Sequence, residues 1–209
     1  HTEFKDSELG RIPKSWEVGR LGDYIDVLTD YHANGAYEKL KAHVTLLDSP
    51  DYAVMIRTTN LQRDDFKDLI YLSKLSYEFL KKSKVYANDI LMNKIANPGV
   101  SYLMPELHLP VSLGMNLFLI RMLNDVSAKY IFYYLRLHET YVKSFASGTG
   151  TETITKQEVK NLKFLLPSFE EQVEIEDTIF SIQKNIKSKE LKLSQTQSLK
   201  KSLMQDLLT

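Results

Sequence analysis

An α+β architecture is what the sequence predicts: a globular mixed α/β domain over residues 1–166, followed by a long coiled-coil-type α-helix over 167–209. Three observations predict it. Short apolar runs of strand length recur through the first four-fifths of the chain, segments with helical periodicity lie between them, and the last forty residues change character altogether. With 209 residues, 43% hydrophobic and 26% charged, the chain can bury a core of ordinary size.

The strand-length runs lie at 52–57, 89–92, 100–103 and 116–121, and residues 162–166 close the set as the last strand. Residues 76–84 and 127–145 are expected to be helical. In the second, Ile131, Leu135, Val142 and Phe145 form a core-facing stripe with tyrosines between them. Loops rich in Gly, Asn and Asp are expected at 30–36, 93–99 and 147–150.

From Ser168 to Thr209 there is no Gly, Pro or Trp. Ser168 with Glu171 three residues on reads as a capping box. Ile175, Ile179, Ile182, Ile186, Leu193, Leu203 and Leu207 then recur at steps of four and three, or sums of these, the seam of a coiled coil. Lys189, Thr196 and Lys200 interrupt its middle. A continuous helix of this length spans about 60 Å, more than a domain of this size can cover, so much of the stripe needs a partner. A helix folded back on its own domain, or two helices with a break, is the alternative.

Composition excludes several functions. Without Cys there is no disulfide, thiolate metal site or cysteine nucleophile, which fits a cytoplasmic location. No apolar run approaches membrane-spanning length, and the polar start holds no signal-peptide pattern. The charges balance, 27 basic against 27 acidic, so phosphate neutralisation alone is not the basis of any nucleic-acid binding. They are unevenly placed, though: residues 1–51 hold 6 Lys and Arg against 10 acids, while 52–105 hold 8 against 5 and 106–168 hold 7 against 5. A modest basic face is therefore expected in the middle of the chain.

No phosphate loop, dinucleotide fingerprint, zinc-protease motif or nucleophile elbow is present, and His32, His43, His108 and His138 lack metal-ligand spacing. Asn97-Pro98-Gly99 lacks the second Pro and the aromatic of an amino-methyltransferase loop, and reads as a turn. The chain is expected to be no enzyme, with no metal and no cofactor of its own. What remains is recognition chemistry. The loop at 31–37, with Tyr31, His32, Asn34, Gly35 and Tyr37, combines rings, an amide and a flexible backbone. Arg57, Thr58, Thr59 and Asn60 end a strand with groups suited to guanine, adenine, thymine methyl or phosphate. Lys94 and Asn97 follow another strand in the same way, and Ser147 and Thr149 are candidates for phosphate contact. Polar loops are common, so a protein–protein adaptor on a coiled-coil stalk fits these features as well.

A whole-chain resemblance favours DNA. Gly10-Arg11-Ile12-Pro13-Lys14-Ser15-Trp16 with Leu21-Gly22-Asp23, then Asp89-Ile90-Leu91, then Ser147-Gly148-Thr149-Gly150 with Ile154-Thr155, come in a family's order. Leu165-Leu166-Pro167-Ser168 with Glu171-Gln172, Lys200-Lys201-Ser202-Leu203-Met204 and Leu207-Leu208-Thr209 complete it. In these features the chain resembles the specificity subunit of type I restriction–modification systems. The resemblance implies a target recognition domain reading one half of a bipartite double-stranded DNA site. It also implies a helix that spaces two such domains and docks methyltransferase subunits. S-adenosylmethionine chemistry and ATP-driven cleavage would then belong to the methyltransferase and restriction subunits. A full-length specificity subunit has two domains and two helices, whereas one of each is present here. This predicts either a natural half-length subunit or one half of a longer protein, pairing as a homodimer on an inverted repeat.

Overall fold

The computed structural model describes residues 1–208; the last residue assigned to the long helix, Thr209, lies outside them. Two compact units emerge, His1–Phe169 and Glu170 onward.

The first unit opens with a hairpin, β1 (Phe4–Ser7) and β2 (Gly10–Pro13), followed by β3 (Glu17–Arg20) and β4 (Ile25–Asp30). A 3-10 turn (Tyr31–Asn34), α1 (Tyr37–His43), β5 (Leu46–Leu47), β6 (Ala53–Ile56), α2 (Thr58–Arg63), β7 (Ile70–Leu72) and α3 (Lys74–Phe79) come next. After a further 3-10 turn (Lys81–Ser83) come β8 (Lys84–Val85), β9 (Ile90–Asn93), β10 (Ser101–Leu103), β11 (Val111–Leu113) and β12 (Leu117–Met122). The unit finishes with α4 (Ala128–Leu137), α5 (Glu139–Lys143), α6 (Lys156–Asn161) and β13 (Lys163–Leu166).

Two sheets carry the core. One is antiparallel, in the order β10-β9-β12-β4; the other is mixed, β5-β7-β6-β11-β8, with β6 and β11 parallel. Strand periodicity explains why β6 is buried along its whole length. Val54 and Ile56 face a cluster shared with Leu91, Leu113, Leu117 and Leu119 of the strands β9, β11 and β12. Ala53 and Met55 face the opposite way, into Tyr31, Leu40, Leu72, Tyr77 and Leu80 beneath α1 and α3. Each large apolar side chain removed from water in this way contributes about 1.5–3 kcal/mol.

Strands β13 and β3 pair antiparallel, joining the two ends of the unit. Gly19 is required there: a Cβ would lie 2.9 Å from the Phe164 ring. The helix expected over 127–145 breaks at His138 into α4 and α5, where the imidazole packs against the Tyr134 ring, centroids 4.3 Å apart and tilted by 36°. Its inward stripe includes Tyr130 and Tyr134 as well as Ile131 and Leu135. The helix expected at 76–84 begins earlier, capped by Ser73, and turns 3-10 beyond Phe79.

The second unit, from Glu170 on, belongs to the helix α7 (Phe169–Leu208), 40 residues without a break. Ile175 and Ile179 are half-buried, whereas Ile182, Ile186, Leu193, Leu203 and Leu207 are each at least 51% exposed. No helix is long and apolar enough to cross a membrane among the described residues.

Candidate nucleic-acid interface

The sheets present their loops at a common edge. In the antiparallel sheet Phe118 pairs with Asp30 and Leu117 with Asn93, so the end of β4, the end of β9 and the start of β12 coincide. In the mixed sheet Ile56 pairs with Leu113 in parallel, so β6 and β11 end together. Residues 114–116 carry β11 into β12 and join these two edges. Gly114 N–H donates to Ile56 O at 2.9 Å, and Lys94 N–H donates to Asn116 O at 2.9 Å. Only glycine fits position 114, since a Cβ would stand 2.5 Å from Ile56 O.

Arg57 follows β6 at this edge as the N-cap of α2, a short helix where the sequence suggested only a strand end. Its guanidinium donates from Nε to Asn60 Oδ1 at 3.3 Å and from Nη2 to Asp68 O at 2.9 Å, with an ion pair to Asp68 Oδ2 at 3.4 Å. Nη1 takes no part in these bonds. The side chain is thus aimed by neighbours yet 36% exposed. Thr58 and Thr59 begin the same helix, the first half-buried and the second exposed.

Lys94 and Asn97 belong to a tight loop, 94–99, where Ala96 (φ 52°), Asn97 (φ 86°) and Gly99 (φ 85°) are all left-handed. The loop is rooted by Asn93, fully buried, whose Nδ2 donates to Asn97 O at 3.3 Å. Asn93 Oδ1 is buried and has no hydrogen-bond partner among the described residues. The loop at 147–153 lies against it: Ser147 and Thr153 exchange backbone hydrogen bonds at 2.9 Å, Thr153 bridges Ile95, and Ile154 N–H donates to Lys94 O at 3.0 Å. Ser147 and Thr149 are exposed on it.

Three residues expected to read DNA instead hold the fold. Tyr31 is 7% exposed in the core beneath α1, and burial raises its phenol pKa. Asn34 ties its loop to the 3-10 turn at Lys81–Ser83, with Nδ2 donating to Tyr31 O and Ser83 Oγ and Oδ1 accepting from Lys82 N–H, each at 2.9 Å. Asn60 is 3% exposed, and Nδ2 is taken up by Asp65 O at 3.2 Å and Asp68 O at 2.7 Å. In each case the amide or ring that suits a base also suits a turn, and sequence alone does not separate the two. His32 and Tyr37 are exposed, and Gly35 is half-buried with φ 149°.

Other residues at this edge carry no sequence signal. Asp30 accepts from Ala33 N–H at 3.0 Å and meets Lys94, 64 positions away. Lys156 approaches the same carboxylate. Lys81 and Lys82 stand exposed on the turn that Asn34 grips. Among the described residues no group of three or more His, Asp or Glu gathers as a metal site.

Comparison with known proteins gives this edge its context. The family described as the type I restriction modification DNA specificity domain matches residues 13–196. The MjaX type I restriction enzyme specificity subunit of Methanocaldococcus jannaschii is 27% identical over 213 residues, covering 100% of this chain and 46% of its own length. The MjaVIII specificity subunit of the same organism is 26% identical over 218 residues, covering 99% and 45%. The chain thus spans just under half the length of these curated relatives.

Solved structures share the fold. A chain from a type I restriction–modification assembly superposes with a TM-score of 0.62 at 20% identity, over 85% of this chain and 40% of that one. The HsdS subunit from Thermoanaerobacter tengcongensis gives 0.61 at 18% identity, over 88% and 41%. Both the α+β domain and the long C-terminal helix conform to that architecture. The chain belongs to the type I restriction modification DNA specificity domain family.

Proposed function

We propose that this chain reads one half-site of a bipartite double-stranded DNA sequence, through the loop edge formed by β4, β6, β9 and the segment 147–153. The observation that carries the reading is the family match over 13–196 together with the meeting of those loops at one edge of both sheets. Arg57, Thr58, Thr59 and Asn97 are the groups placed to meet base edges, with His32, Gly35, Lys94, Ser147 and Thr149 around them. Base contacts set sequence preference, and contacts to phosphate set register and affinity.

The exposed stripe of α7, from Ile182 to Leu207, pairs with a second copy in this proposal. A two-fold dimer of a chain with one recognition domain reads an inverted repeat, with half-sites about 34–36 Å or a multiple apart. The dimer acts in the cytoplasm as the platform for methyltransferase and restriction subunits, which bring S-adenosylmethionine and ATP. The test is selection from a random-duplex pool, with the chain alone and with a methyltransferase subunit. An enriched inverted repeat is expected. An unrepeated motif keeps the recognition domain and removes the homodimer, and no enrichment with salt-insensitive retention removes DNA altogether.

A further inference from the structure

Two lysines share one carboxylate at the centre of the loop edge. Lys94 Nζ lies 3.3 Å from Asp30 Oδ2, and Lys156 Nζ lies 3.7 Å from Asp30 Oδ1. Asp30 is fixed from its own side, since Oδ1 also accepts from Ala33 N–H at 3.0 Å. Lys94 is fixed as well, its ammonium 5.6 Å from the centre of the Phe118 ring. The side chains of Lys94 and Asp30 are each only 16% exposed, and Lys156 is 40% exposed.

The charges do not balance. Among the described residues neither lysine has a second acidic partner, so two ammonium groups answer one carboxylate and a unit of positive charge is left over. A surplus charge in a half-buried place is costly unless an anion completes it. The cluster also links segments that are remote in sequence: the end of β4, the end of β9 and the residues following the 147–153 loop. Neutralising or removing Asp30 therefore acts on three recognition loops together.

We propose that Lys94 and Lys156 form a clamp for a DNA backbone phosphate, with Asp30 as the positioning residue that holds both ammonium groups side by side. This rests on the DNA-reading role above and adds to it a site of stated chemistry. The partner is a phosphate and not a base edge, because what the cluster lacks is a negative charge. Asp30 competes with that phosphate. It keeps the clamp formed before DNA arrives and holds down attraction to DNA of any sequence.

The experiment measures binding of the full chain, by fluorescence anisotropy over a range of salt, to a random-sequence duplex and to the duplex enriched by selection. Wild-type chain that binds neither overturns the DNA reading itself, apart from the clamp. Where wild type binds, Lys94→Gln and Lys156→Gln are each expected to lower the slope of log affinity against log salt by about 0.9, and the double variant by about 1.8. Both duplexes weaken alike, and Lys156→Arg restores the slope. Asp30→Asn, which retains an oxygen to cap Ala33, is expected to tighten binding to the random duplex and narrow the ratio between the two. Unchanged slopes in folded lysine variants overturn the clamp, as does loss of preference at one base position in Lys94→Gln. Asp30→Asn weakening both duplexes equally, with a lowered melting temperature, overturns its competition with the phosphate and leaves the carboxylate a structural anchor only.

Discussion

Asn60 Oδ1 accepts from both the backbone N–H and the Nε of Arg57, at 3.1 and 3.3 Å. The amide therefore closes the first turn of α2 and fixes the direction of the guanidinium at the same time. A residue 3% exposed thereby sets the direction of one whose side chain is 36% exposed.

Arg57→Ala is expected to cost about 1–3 kcal/mol of DNA affinity and to relax the preference at one base position. Selection with the variant checks it; uniform weakening across all sequences would make Arg57 a phosphate contact. Asn60→Ala is expected to produce the same relaxation and also to lower folding stability by about 1–3 kcal/mol, because the carbonyls of Asp65 and Asp68 lose a donor. Urea denaturation separates the two variants.

Asp89, just before β9, and Arg121 of β12 form a close ion pair. Arg121 donates from Nε at 2.8 Å and from Nη2 at 2.6 Å, Tyr86 N–H adds a bond at 2.7 Å, and the carboxylate is 4% exposed. Arg121→Met strands that carboxylate and is expected to destabilise the fold by about 3 kcal/mol. The double variant Asp89→Leu/Arg121→Met is expected to recover part of the loss, since no unpaired charge remains. A double-mutant cycle in urea measures the difference.

Alkaline pH should unfold this domain through its tyrosines. Burial holds the Tyr134 phenol neutral, its pKa pushed up to about 12, and burial also raises Tyr31 and Tyr77. A raised phenol pKa favours the protonated folded state, so the contribution is complete below the unfolded value of 10.0 and is lost as pH rises towards 12. The melting temperature is expected to fall over that window, and Tyr134→Phe, which cannot ionise, to fall less steeply.

The stripe on α7 is open to a direct test. Ile186→Asp with Leu193→Asp puts charge on two positions 51% and 58% exposed in the single chain. The pair is expected to turn a dimer into a monomer by light scattering while the melting temperature of the first unit stays unchanged. A wild-type monomer at tens of micromolar would remove the homodimer.

Much of the fold was legible because its signals are local. The apolar strand runs that became β6, β9 and β12 and the Gly- and Pro-free tail each depend on neighbours a few residues away. The same holds for the placing of Arg57, Lys94, Asn97, Ser147 and Thr149 in or beside loops. Missed strands such as β8 and β11 are two and three residues long, too short for any periodicity to show.

By itself the sequence determined the α+β class, the long helix and the family. These follow from propensity, apolar spacing and motif order, all properties of the chain alone. Only the tertiary structure decided which polar loop residues are free. Tyr31, Asn34 and Asn60 read like base-contacting groups but close internal hydrogen bonds or fill the core. Asp30, Lys94 and Lys156 look unrelated until β4 and β9 end at the same edge. The physical reason is that a polar side chain has the same chemistry wherever it stands. Whether it faces solvent or a buried carbonyl depends on strand pairing and packing between segments far apart in the chain.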